Sequence, residues 1–207
     1  MPYYSNINVL FLHIPKTGGT VIEEAIQKKT KQTLYSGYSN DLLPSPFNII
    51  SLQHQLYTTL YKYKHLCGIN FDRVKIFAVV RNPYDRIISD LFFLRLIHIN
   101  TSAEDVYHII KDNYLYRDNL DNHNIPQFKF ISDENGDLVS NIKIFKTETL
   151  NENNKLLNEY LGIDINIITH NVNKNYSKYL NKNSINIINT FYRKDFELFN
   201  YHIQPTF

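Results

Sequence analysis

The sequence predicts an α/β protein with a central, mainly parallel sheet flanked by helices. Three observations carry this reading. Two short, nearly continuous apolar runs, Ile7–His13 and Val74–Val80, read as strands buried on both faces. Each is followed by a turn signal and then by apolar residues at helical spacing. Strand and helix patterns alternate along the chain, with no internal repeat and no linker, so residues 1–207 read as one domain.

The first unit is strand, Gly-rich loop and helix. After His13 comes Pro15-Lys16-Thr17-Gly18-Gly19-Thr20, and then Val21, Ile22, Ala25 and Ile26 recur on one helical face with Glu23, Glu24, Gln27 and Lys28 outward. Pro44-Ser45-Pro46 breaks the chain, and Asn48–Leu52 is expected as a second short strand, followed by a Tyr-rich helix or loop from Gln55 to Lys64. The strand Val74–Val80 ends at Asn82-Pro83, and Pro83 suits the first turn of a helix running through Ile87, Ile88, Leu91, Phe92 and Leu94. Ser102-Ala103-Glu104-Asp105 resembles a capping box that opens a helix through Val106, Ile109 and Ile110. Asp133-Glu134-Asn135-Gly136-Asp137, flanked by Phe128, Phe130, Leu138, Ile142 and Ile144, predicts a hairpin. Two helices close the chain, Asn151–Leu161 stopped by Gly162, and Ser184 to about Asn200, with an Asn- and Lys-rich surface loop between them.

Composition narrows the function. The net charge of +2 (22 Lys and Arg against 20 Asp and Glu) is too small for general nucleic-acid binding, although local basic clusters can hold a phosphate-rich ligand. Cys67 is the only cysteine, so no intrachain disulfide forms. No run approaches the roughly 18 apolar residues of a membrane helix, and the start of the chain lacks a basic, then long apolar, leader pattern. A soluble, cytoplasmic protein with no membrane partner is expected.

The loop His13–Thr20 lies between a strand and a helix, where unpaired N–H groups and the helix dipole favour an anion. Gly18 and Gly19 let the backbone curl close to a phosphate, Lys16 adds a full charge, and the hydroxyls of Thr17 and Thr20 can donate. It is not the G-x-x-x-x-G-K-[ST] loop of nucleoside triphosphatases, because Lys16 precedes both glycines. Alone, such a loop is equally a Gly-Gly turn with a surface lysine. Arg81 stands at the end of the second buried strand, where open α/β sheets bind ligands, and Ser89 lies about two turns into the next helix. The two can converge on one phosphate. Separately, Arg81 could close the strand end with a salt bridge and Ser89 could be a small packing residue.

Taken together, H-I-P-K-T-G-G-T at residues 13–20 and R-x-P-x-x-R-x-x-S at residues 81–89 resemble the sulfotransferases that use 3′-phosphoadenosine 5′-phosphosulfate (PAPS), and most closely the carbohydrate-type, family 2 branch with its bacterial and viral relatives. Gln127-Phe128 with Asp133–Gly136, Thr147-Glu148-Thr149-Leu150, and Tyr192–Phe199 look like further landmarks of that family. The resemblance implies a P-loop NTPase-like three-layer fold. It implies PAPS as co-substrate, with Lys16, Thr17, Gly18, Gly19 and Thr20 on the 5′-phosphosulfate and Lys16 stabilising the leaving phosphate. Arg81 and Ser89 would hold the 3′-phosphate, and Lys174 or Lys178 could add a cation over the nucleotide. The acceptor would be a hydroxyl, by resemblance to the branch a carbohydrate, with small alcohols and peptide tyrosine open.

Transfer to a hydroxyl requires removal of its proton, and histidine suits that task near neutral pH. His54 follows the expected strand Asn48–Leu52, and related enzymes place a His, often after Gly, at this point; here Gln53 precedes it. His13 is the alternative base. His, Cys and carboxylates show no metal-ligand spacing, so no metal is expected. The tyrosines between Tyr57 and Tyr63 could wall an acceptor site or simply pack. Two other functions compete: a P-loop kinase of a small molecule, which would need Gly-Lys-[Ser/Thr], and a PAP- or PAPS-binding module without chemistry, which differs only in the role of His54.

Overall fold

A computed structural model describes residues 2–32, 44–118, 120–167 and 176–205. One open sheet holds four strands in the order β1 (Tyr3–Tyr4), β2 (Val9–Leu12), β3 (Lys75–Val80) and β4 (Ile142–Lys146). β2, β3 and β4 are parallel, and β1 pairs antiparallel with β2. Among the described residues the α-helices are α1 (Gly19–Thr30), α2 (Tyr57–Lys62), α3 (Lys64–Cys67), α4 (Pro83–Phe93), α5 (Ala103–His108), α6 (Asn154–Leu161), α7 (Lys182–Phe191) and α8 (Arg193–Leu198).

The alternation of side chains along the strands explains why both sheet faces are covered. Leu10, Leu12, Ile76, Ala78, Val80 and Ile142 pack on one side with Leu60 of α2, Phe71 and Phe130. Val9, Phe11, Phe77, Val79 and Phe145 pack on the other with Ile22 and Ile26 of α1 and Leu157 and Leu161 of α6. Phe11 and Phe77 stack in parallel at 4.6 Å across the β2–β3 pair. Each fully buried ring of this kind contributes about 2–3 kcal/mol by burial. A third apolar cluster joins α4, α5, α7 and α8 through Ile88, Leu91, Val106, Ile188 and Phe196.

Several start signals work as expected. Asn82 caps α4 by accepting from the Tyr84 N–H at 3.0 Å, with Pro83 in the first turn. Ser102 caps α5 by accepting from the Asp105 N–H at 3.1 Å. Gly162 ends α6 at φ 73°, a left-handed position that glycine fills without strain.

Three expectations change, and one element is new. Asn48–Leu52 is not a strand. The N–H groups of Ile49 and Ile50 turn back onto the Pro46 carbonyl, the Ser51 N–H goes to the Asp121 carboxylate, and Leu52–His54 forms a 3₁₀ turn, so no edge is left for a ladder. The hairpin around Asp133–Asp137 shrinks to one bridge, Ser132 to Leu138; Gln127–Phe130 is 3₁₀, and Ile142–Lys146 joins β3 in parallel instead. The last helix breaks at Tyr192, whose buried ring donates its hydroxyl to the Asn124 carbonyl at 2.7 Å, and its first part starts at Lys182, where the Asn181 side chain accepts from the Ser184 N–H. The N-terminal residues, unread in the sequence, supply the antiparallel edge strand β1.

Candidate active site

Because β2 and β3 are parallel neighbours, the loop after β2 and the segment after β3 leave the sheet side by side. The first carries Lys16 and the second Arg81, and the Arg81 Nη1 donates to the Lys16 carbonyl at 3.2 Å. The loop reaches α1 through left-handed residues Lys16 (φ 68°) and Gly18 (φ 89°). Gly19 opens α1 beneath the His13 ring, where an added Cβ would lie 2.3 Å from two ring atoms. His13 Nδ1 bonds Glu23 Oε1 at 2.7 Å, and Glu23, expected on the outer face of the helix, is buried as a result.

Arg86, whose role the sequence did not reveal, braces two segments that wall the site, at Pro15 and His123, without lining the cavity itself. Its buried guanidinium donates to three carbonyls: Pro15 (Nε, 3.1 Å), Ile125 (Nη1, 3.0 Å) and His123 (Nη2, 2.7 Å). Gln127 fixes the end of β3: its Oε1 accepts from the Arg81 N–H and its Nε2 donates to the Arg81 carbonyl. Asp195 in turn accepts from the N–H groups of Gln127 and Phe128 at 2.8 and 2.9 Å, which ties the segment at 192–199 to that at 127–128.

A cavity of about 410 Å³ opens between these walls, lined by Lys16, Gly18, Gly19, Thr20, Arg81 and Ser89 together with His13, His54, Phe93, Asp121 and His123. Of the residues expected to hold the two phosphates from the loop and from α4, Thr17 alone stays out of this lining. Its hydroxyl donates to the Ile14 carbonyl at 2.9 Å, and its own carbonyl accepts from Thr147 Oγ1 at 2.7 Å. Lys178 lies on a 3₁₀ turn with its ammonium over the Tyr179 ring, and in the same turn Tyr176 packs against the Arg81 guanidinium at 5.6 Å. Lys174 lies outside the described residues. Tyr57 and Tyr61 line a different and larger cavity, about 520 Å³, which shares no lining residue with the first and presents no His, Lys or Arg.

His54 is buried, and the loop Asp121–His123 clasps it. His54 Nδ1 bonds Asp121 Oδ2 at 2.7 Å, Asn122 Nδ2 donates to the His54 carbonyl, and the His123 ring stands edge-on at 5.0 Å. Asp121 and Asn122 both adopt positive φ (52° and 62°), conformations Asp and Asn tolerate better than most residues. A carboxylate can only accept, so Nδ1 carries the proton and Nε2 keeps a lone pair. Burial pushes the His54 pKa below the usual histidine value, partly offset by Asp121 and reinforced by His13 and His123. Burial acts to raise Asp121, but hydrogen bonds from His54 and Ser51 outweigh it and hold the carboxyl below its ordinary value. Burial also lowers Lys16, opposed by Asp90 and aided by Arg81.

The sequence shows no metal motif, but the fold brings ligand-capable atoms of His54, Asp121 and His123 within 4.8 Å of one another. In the structure that carboxylate is engaged by protein donors: His54 Nδ1, the Ser51 N–H at 2.6 Å and Ser51 Oγ at 2.7 Å.

The loop after β2, the arginine at the end of β3 and the carboxylate-backed histidine thus meet at one cavity. The chain belongs to the sulfotransferase family, whose family model matches residues 4–133. No curated protein and no solved structure matches it. No described helix is long and apolar enough to cross a membrane.

Proposed function

We propose that this chain transfers a sulfuryl group from PAPS to an acceptor hydroxyl, by resemblance that of a carbohydrate, within one P-loop NTPase-like three-layer domain. One observation carries the reading: Lys16, Arg81, Ser89 and His54, drawn from separate segments, line a single cavity. Positive charge near Lys16 and Arg81 fits a ligand with phosphates at both ends of its ribose. Lys16, Gly18, Gly19, Thr20 and the start of α1 bind the 5′-phosphosulfate, with Thr17 shaping the loop from behind. Arg81 and Ser89 bind the 3′-phosphate.

His54 Nε2 takes the proton of the acceptor hydroxyl while that oxygen forms a bond to sulfur. The bond from sulfur to the 5′-phosphate oxygen breaks, and Lys16 stabilises the charge left on the phosphate. Asp121 holds His54 in the tautomer this requires and stabilises the imidazolium formed. No metal enters the proposal: the transfer as written uses only Lys16, His54 and Asp121, and Asp121 already accepts three hydrogen bonds from His54 and Ser51. A reducing, cytoplasmic setting belongs to the same proposal and agrees with the single cysteine.

Adding PAP should raise the melting temperature at concentrations where ATP, lacking a 3′-phosphate, has a smaller effect. Equal shifts would favour the kinase. In His54→Ala, PAP stabilisation should persist and sulfuryl transfer should vanish. A wild-type protein that binds PAP and transfers nothing to any acceptor would instead be a binding module.

A further inference from the structure

His123 is held in the same cavity as firmly as His54. Its Nδ1 bonds Asp90 Oδ1 at 2.7 Å, the other Asp90 oxygen accepts from the Tyr114 hydroxyl at 2.6 Å, and Asp90 and Tyr114 are both buried. The π-helical turn Ile109–Tyr114 after α5 delivers that tyrosine. The ring lies parallel to exposed Phe93 at 5.5 Å. With Nδ1–H spent on a carboxylate, the neutral ring presents Nε2 as a lone pair. Neither His54 nor His123 has an Nε2 hydrogen bond to a described residue, and neither atom is among those sealed from solvent without a partner.

Two lone pairs facing one cavity require donors. A phosphosulfate brings only acceptor oxygens. Lys16 has its ammonium over the Phe93 ring, 3.9 Å from the centroid. Water satisfies such lone pairs until an acceptor displaces it; the acceptor must then supply the donors, and a single hydroxyl satisfies only one of the two. The two rings are neighbours in that cavity, edge-on with centroids 5.0 Å apart. Oxygens on adjacent carbons stand about one hydrogen-bond length apart, so each can reach its own ring.

We propose that His123 positions a second hydroxyl of the acceptor, so that the preferred acceptor class is a vicinal diol, one hydroxyl delivered to His54 and its neighbour held by His123. This rests on the sulfotransferase reading of the cavity. His123 is a positioning and specificity residue; the reacting proton goes to His54.

The test is transfer of radiolabelled sulfate from PAPS to cis-1,2-cyclohexanediol and to cyclohexanol. Wild type should favour the diol roughly tenfold or more in kcat/KM, the difference residing in KM. His123→Asn keeps an N–H where Nδ1–H stood, for Asp90, and removes the lone pair; it should bring the preference near unity while PAP still raises its melting temperature. Equal use of both probes, use of neither, or an unchanged preference in His123→Asn would overturn the proposal. If that variant does not fold, the wild-type protein saturated with PAP decides the matter by proton NMR. The diol should shift the Cε1–H resonances of His54 and His123 together, and cyclohexanol that of His54 alone. A diol that leaves His123 unmoved overturns the proposal. Failure of PAP to stabilise the wild-type protein would be a different result, since it overturns the sulfotransferase site itself.

Discussion

Gln127 clasps Arg81 in both directions, accepting its backbone N–H and donating to its carbonyl, each at 2.8 Å. The side chain thereby does the work of one more sheet neighbour just past the end of β3. Gln127→Met keeps the volume and strands two backbone groups. We expect a loss of about 2–4 kcal/mol in chemical denaturation, together with weaker PAP binding as Arg81 loosens. An unchanged midpoint would show that water replaces the side chain at no cost.

Asp121 is separated from His54 by 67 residues and joined to it by one 2.7 Å bond. Asp121→Asn preserves shape but lets the imidazole adopt the other tautomer. Transfer should fall roughly 10²- to 10⁴-fold in kcat, while PAP affinity stays within about twofold. A matching loss of PAP affinity would mean that the aspartate supports the nucleotide loop rather than the base.

Burial of His54 sets the pH response. Its pKa in the folded protein lies below the ordinary value of about 6.5, so the base remains neutral and competent somewhat below that pH. The acidic limb of kcat/KM should therefore fall on the acid side of about pH 6.5. The same shift affects stability with a definite sign. Below the unfolded pKa the unfolded chain binds a proton that folded His54 resists, so this contribution is intact above about pH 6.5 and is lost as pH falls through the folded value. His54→Gln should flatten that part of the profile of melting temperature against pH.

Gly19→Ala drives a methyl group into the His13 ring, which Glu23 holds in place. Overpacking of this kind costs about 1–3 kcal/mol, and at roughly 2–4 °C per kcal/mol in a chain of this size the melting temperature should drop by several degrees. PAP binding should fall more than stability, because the displaced ring lies against Gly19 in the loop that the proposal gives to the nucleotide. Normal PAP binding would show that the loop tolerates the shift.

Local signals carried much of this architecture. The apolar runs of β2 and β3, the Pro83 start of α4 and the Gly162 stop are properties of short segments, and they lie where the pattern puts them. The reading failed where tertiary contacts decide. Asn48–Leu52 has strand-like composition, but its N–H groups find partners in a local turn and in Asp121, across 70 residues. Ile142–Lys146 looks like a hairpin arm until the neighbouring β3 offers a longer ladder. In the cavity, Lys16 and Arg81 are legible because one follows a Pro and the other a strand end, whereas Ser89 and His54 are legible through the family resemblance, His54 despite the missing strand. Asp121, His123 and Asp90 are not, since only folding brings them to the histidines. The single available hint was the polar run Asp121-Asn122-His123-Asn124 just ahead of Gln127.

Arg86 ties together the carbonyls of Pro15, Ile125 and His123 with one planar, buried group. A rigid fork of this kind has no slack. On the proposed reading, any shift of the loop around Pro15 on nucleotide binding would carry the backbone of His123 with it or leave a charged donor without its partner. The two substrates would then be mechanically coupled, and the order in which they enter should be felt as a change in each one's apparent affinity.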